Sequence, residues 1–97
     1  ENLIHILLNN AQHESVGGQP TVADIVSLNE VAKACNYNHT YSINSVNEFT
    51  NLFNKINNLT GPIFVEIKIY PGSRSDLGRP KETPIESKIA FMRELQK

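Results

Sequence analysis

Leu7-Leu8-Asn9-Asn10-Ala11-Gln12-His13-Glu14-Ser15-Val16-Gly17-Gly18-Gln19-Pro20 decides how the rest of the chain is read. An apolar run from Leu3 to Leu8, broken only by His5, ends abruptly in two asparagines and a polar, glycine-containing loop. A buried strand that delivers polar groups to the edge of an α/β sheet has this pattern, and ligands bind in the crevice beyond the carboxyl ends of parallel strands. Asn side chains can offer a neutral oxygen to a hard cation, and Gly17 and Gly18 let backbone approach a ligand closely. The same letters also describe a strand followed by an Asn- and Gly-rich turn. Spacing alone leaves both readings open.

Working outward, the elements alternate. Residues 2–8 form a short apolar strand of the kind covered on both faces. Residues 9–24 make a long loop, of a length that in compact domains is functional or disordered. Ser27-Leu28-Asn29-Glu30 fits a capping box; Leu28, Val31, Ala32 and Cys35 give a helical stripe that Asn36 can close. Thr40 to Ile43 reads as a second strand. Ser45-Val46-Asn47-Glu48 is a second box opening a helix whose face is Val46, Phe49, Leu52, Phe53 and Ile56, stopped by Gly61-Pro62. Residues 63–70 are the clearest strand, and 71–80 an irregular loop. A third box, Thr83-Pro84-Ile85-Glu86, starts a terminal helix with Ile85, Ile89, Met92 and Leu95 on its apolar face.

This β-loop-α-β-α-β-loop-α order implies an α/β fold with a parallel sheet and right-handed crossovers. All three strands then end on one edge, where the loops 9–24, 44–45 and 71–83 gather. Asn10 is expected on the same side as Arg74 and Arg79; whether they meet depends on strand order.

Composition narrows the class. Ninety-seven residues make one domain at most, and a net charge of −1 argues against a nucleic-acid surface. The single cysteine excludes an internal disulfide and fits a reducing, cytoplasmic setting. No apolar run approaches the roughly 20 residues of a membrane span. The chain enters an apolar strand almost at once, so it is expected to be a piece of something longer.

Several candidate chemistries can be weighed on the residues alone. His13-Glu14 lacks the second histidine of a zincin motif, and a loop histidine near a substrate fits His13 better than a metal ligand does. His5 is expected to be a satisfied, partly buried core histidine, and Cys35 a small core residue. Gly17-Gly18 has neither the Lys-Ser/Thr of a P-loop nor dinucleotide spacing. Asn38-His39-Thr40 and Asn58-Leu59-Thr60 match the glycosylation triplet and are read as coincidental, Asn58 as a helix C-cap. Arg74 and Arg79 flank Asp76, which fits either local ion pairing on a surface loop or a fork for phosphonate or sulfonate.

Two stretches together carry a resemblance. Asn9-Asn10 with His13-Glu14-Ser15-Val16-Gly17-Gly18-Gln19-Pro20-Thr21 resembles the second half of the thiamine-diphosphate signature, in which an upstream Gly-Asp-Gly is followed by Asn-Asn at a strand end. Gly72-Ser73-Arg74-Ser75-Asp76-Leu77-Gly78-Arg79-Pro80, with Thr83-Pro84-Ile85-Glu86-Ser87-Lys88, is similar to the C-terminal segment of phosphonopyruvate decarboxylases. The resemblance covers essentially the whole chain, and the sulfopyruvate decarboxylases are the nearest relatives to distinguish.

The resemblance implies the C-terminal portion of a three-layer, pyrophosphate-binding domain in residues 1–97. The upstream Gly-Asp-Gly half and the pyrimidine-binding domain with its activating glutamate are not among them. Asn10 matches the Mg²⁺ side-chain ligand and Gln12 the position whose backbone carbonyl ligates. Asn9 sits beside the pyrophosphate, and the loop from His13 to Gln19, including Ser15 and Gly17, covers the cofactor. The implied chemistry is non-oxidative decarboxylation of a 2-oxo acid, 3-phosphonopyruvate giving phosphonoacetaldehyde, with thiamine diphosphate and Mg²⁺ as cofactors. Arg74 and Arg79 are then the expected contacts to the phosphonate. The implied partners are the small 2-oxo acid and further subunits, at least a dimer; these residues alone are expected to be inactive. A sulfopyruvate decarboxylase subunit and a non-catalytic α/β binding module are the alternative readings.

Overall fold

A computed structural model describes residues 2–97 of the chain. In chain order it runs β1 (Ile4–Asn9), a short hairpin of β2 (Gln12–His13) and β3 (Gln19–Pro20), α1 (Leu28–Ala34), β4 (His39–Ile43), α2 (Val46–Phe53), β5 (Ile63–Lys68) and α3 (Pro84–Leu95). The strands β1, β5 and β4 form one parallel sheet in that order, so the last strand in sequence lies at the centre.

Why β5 takes the centre follows from its side chains. Ile63, Phe64, Val65 and Glu66 are all buried, and Ile63 and Val65 are 1% and 0% exposed. Side chains alternate between the faces of a strand. Ile63 and Val65 meet Leu52 of α2, Ile56 of the following 3-10 turn and Ile43 of β4 in the core. On the other face Phe64 shares an apolar hollow with Leu28, Val31 and Ala32 of α1. Helices therefore cover both faces of β5, giving three layers. Removing each of these large side chains from water contributes about 1.5–3 kcal/mol.

The caps set the helix starts. Ser27, Ser45 and Thr83 each accept the backbone N–H three residues on, from Glu30, Glu48 and Glu86. Only Thr83 and Glu86 complete the reciprocal box; Glu48 instead takes the N–H of Asn44 at 2.8 Å. Asn36, at φ 63°, closes α1 as expected. The α2 helix stops at Phe53, and a separate 3-10 turn carries Ile56 into the core and ends at Asn58, with Leu59 as its cap.

Further expectations are corrected. The loop 9–24 is structured, with a hairpin and two 3-10 turns at Glu14–Val16 and Val22–Asp24. The first strand is not covered on both faces: Ile4, Ile6 and Leu8 are exposed, because the helices lie over β5 and β4 while β1 is an edge strand. Cys35 is exposed, since α1 has ended at Ala34 and the chain is already turning there. His5 is exposed too, although it is satisfied by the Tyr37 hydroxyl at 3.0 Å and stands edge-on to Phe64. The apolar face of α3 also finds no cover: none of its residues is buried. That helix stands away from the sheet, and the radius of gyration is 16.5 Å against about 13 Å for a compact domain of this length.

Candidate functional site

Because β1 and β5 are neighbours, the turn after Asn9 and the loop after Lys68 leave the sheet side by side. Strand order settles what the sequence left open. The two asparagines play different parts. Asn9 is 9% exposed and turned inward, its Nδ2 donating to Glu66 Oε1 at 2.7 Å and its Oδ1 accepting the N–H of Ala11 at 2.9 Å. Asn10 lies nearer the surface, its Oδ1 accepting the N–H of Gln12 at 3.2 Å and its Nδ2 donating to Glu14 Oε2 at 3.0 Å. Between them Ala11 takes φ 58°, a conformation uncommon for a residue with a side chain.

Glu14 is a junction that sequence reading passed over. One of its oxygens holds Asn10, and the other accepts the backbone N–H of Gly72 in the loop after β5. The consequence is a cleft of about 490 Å³ whose walls include Glu14, Ser15, Ser73, Arg74, Leu77 and Arg79. Both arginines thus share one opening with the turn that follows the asparagines. Arg74 also pairs with Asp76, Nε to Oδ1 at 3.2 Å, on an exposed surface where such a pair contributes little stability. That contact uses the Nε edge and leaves the terminal amino groups for an anion.

The remaining sequence candidates are placed as follows. His13 is exposed and precedes the 3-10 turn at Glu14, its carbonyl accepting the N–H of Gly18 at 3.0 Å. Gly17 and Gly18 have φ of 86° and 69°, so the turn needs residues free of a Cβ penalty. Among the described residues no group of three or more His, Cys, Asp or Glu side chains could hold a metal ion. What the turn does present is hard oxygen: the amide of Asn10 and the backbone of Gln12. Neutral and backbone oxygens of this kind are donors that Mg²⁺ accepts.

Glu66 is the second residue that sequence reading missed. It sits on the central strand, 5% exposed, and its Oε2 accepts from Ser42 Oγ on β4 at 3.1 Å while Oε1 takes Asn9 on β1. One carboxylate therefore ties together the ends of all three strands. A lone acidic residue inside an otherwise apolar strand is the signal that could have found it, since carboxylates are almost never buried without partners.

Over 85 residues the chain is 40% identical to a phosphonopyruvate decarboxylase of Streptomyces viridochromogenes, a match covering 88% of the chain and 21% of that protein. Along most of its own length the chain is similar in sequence to phosphonopyruvate decarboxylases. A second relative of that name, from Streptomyces hygroscopicus, is 39% identical over the same shares. The β subunit of a sulfopyruvate decarboxylase from Methanothermobacter thermautotrophicus is 31% identical over 72 residues, 74% of the chain and 36% of that subunit. The chain thus spans about a fifth of the length of the phosphonopyruvate decarboxylases it matches. No protein-family model matches it. No helix among the described residues is long and apolar enough to cross a membrane.

Proposed function

We propose that these residues are the C-terminal portion of the pyrophosphate-binding domain of a cytoplasmic, at least dimeric 2-oxo acid decarboxylase dependent on thiamine diphosphate and Mg²⁺. The substrate we assign is 3-phosphonopyruvate, which gives phosphonoacetaldehyde and CO₂. One observation carries the reading: at the carboxyl edge of a parallel sheet, Glu14 binds Asn10 of the asparagine turn and also lines the cleft that holds both arginines. The names of the two Streptomyces relatives support the substrate.

Each part of this sheet edge has work in the proposed reaction. Asn10 Oδ1 and the Gln12 carbonyl would hold Mg²⁺ against the pyrophosphate, with Ser15 and Gly17 lining the covering loop beside Asn9. Thiamine diphosphate, when bound, supplies the sink for the electrons released as CO₂ departs. Arg74 and Arg79 anchor the phosphonate, so that the keto acid end points toward the cofactor and not toward water. His13, exposed just before the 3-10 turn at Glu14, would face the substrate. The remaining metal ligand and the activating glutamate are assigned to sequence beyond these residues, which by themselves would not turn over.

Sulfopyruvate is the second reading, favoured by the methanogen relative. A phosphonate carries up to two negative charges and a sulfonate one, so a pair of arginines in one cleft matches the phosphonate better. The test is CO₂ release by the intact protein with thiamine diphosphate and Mg²⁺, offered phosphonopyruvate, sulfopyruvate and pyruvate in parallel. Preference for phosphonopyruvate that disappears in Asn10→Ala is the expected result. Preference for sulfopyruvate replaces the substrate. No turnover and no cofactor binding leave a non-catalytic binding module.

A further inference from the structure

We infer that Glu66 is a positioning residue for the metal-binding turn, an inference that rests on the proposed cofactor site and goes beyond it. A carboxylate that is 5% exposed on the central strand is expensive to keep unless it is bonded, and an aliphatic residue there would pack between its neighbours at no such cost. Both of its oxygens are engaged, by Asn9 Nδ2 at 2.7 Å and Ser42 Oγ at 3.1 Å.

The orientation of Asn9 follows from this. The backbone N–H of Ala11 is a donor only, so the Asn9 oxygen must face it, and the Asn9 amino group must then point inward. An inward amino group needs a buried acceptor, which Glu66 provides. Without it the Asn9 amide is free to rotate, and Ala11 loses the bond that holds it at φ 58°. Ala11 separates Asn10 from Gln12, so its conformation sets where their oxygens lie relative to one another. Ser42 holds the carboxylate from the opposite strand and fixes its rotamer. The line from Ser42 through Glu66 and Asn9 to Ala11 carries strand geometry into ligand geometry, as outer groups do at metal sites generally.

The experiment measures Mg²⁺-dependent thiamine diphosphate binding by titration calorimetry on the intact protein, beside thermal melting of the cofactor-free form. Glu66→Gln retains an acceptor for Asn9 and can donate to Ser42, so its Mg²⁺ affinity should stay within about threefold of wild type. Glu66→Leu removes the acceptor and should weaken Mg²⁺ binding by roughly 10–100-fold. Should Glu66→Leu fail to fold, Ser42→Ala, an exposed position whose loss frees the carboxylate rotamer while leaving its bond to Asn9, should weaken Mg²⁺ binding severalfold with a near-wild-type melt. Equal affinity in every variant overturns the inference. So does an affinity loss that merely tracks the melting temperature, Gln included. A wild-type protein that shows no Mg²⁺-dependent binding overturns the functional reading itself, an outcome distinct from wild type and variants binding alike.

Discussion

Glu14 and Gly72 lie 58 positions apart, yet the carboxylate of one accepts the backbone N–H of the other and so joins the turn after β1 to the loop after β5. The other oxygen of Glu14 holds Asn10. The asparagine turn and the loop that bears the arginines therefore share one exposed side chain, and its removal should be felt on both.

Glu14→Ala should leave the protein folded and release the loop that bears Arg74 and Arg79. A hydrogen bond to a charged group contributes about 1.5–3 kcal/mol, and exposure puts this one at the lower end. The KM for phosphonopyruvate should rise by roughly tenfold, and the Gly72 amide should lose its protection in hydrogen exchange. Unchanged exchange at Gly72 would show that the two loops are not joined in solution.

The arginines should discriminate by substrate charge. Arg74→Ala and Arg79→Ala should each lower kcat/KM for phosphonopyruvate by about tenfold or more, from the loss of charge-assisted contacts. Turnover of pyruvate, which has no second anionic group, should change by less than about threefold. Charge reversal at both positions with an unaltered KM for phosphonopyruvate would remove them from the substrate site.

At the start of α3, hydrogen bonds from the Thr83 backbone and then its hydroxyl hold the Glu86 carboxyl below the ordinary glutamate value. A depressed carboxyl stabilises the folded form above its unfolded pKa, and that contribution is lost as pH falls through the folded value. The first turn of α3 should therefore fray only in acid, below the usual glutamate range. In a carbon-detected NMR titration Glu86 should titrate below the ordinary glutamate value, and Thr83→Ala, which removes the hydroxyl bond and keeps the backbone one, should bring it part of the way back.

Ile63, at 1% exposure in the middle of the sheet, is the residue whose truncation should cost most. Ile63→Ala leaves a cavity against Leu52 and Ile56, with an expected loss of about 2–5 kcal/mol. Chemical denaturation of the intact protein should show it as a lower midpoint with an unchanged slope. Ile85→Ala on the exposed face of α3 should be several-fold milder in the same experiment, where nothing among the described residues covers it.

Much of this protein was legible one residue after another. The alternation of strands and helices, the three caps at Ser27, Ser45 and Thr83, the stop at Asn36 and the gathering of loops at one edge all follow from local chemistry: side-chain oxygens satisfying free N–H groups, and apolar periods of two or about 3.6. Asn10 could be singled out for the same reason, because two asparagines at a strand end are a local event. Tertiary structure decided the rest. Nothing in the order of residues says that β5 inserts between β1 and β4, since pairing of distant strands is a choice among global packings. That insertion places Glu66 where it can reach Asn9 and Ser42 at once, brings Gly72 within reach of Glu14, and leaves β1 and its apolar residues at the edge. Local sequence determined which groups could bind; the position of one central strand determined which of them meet.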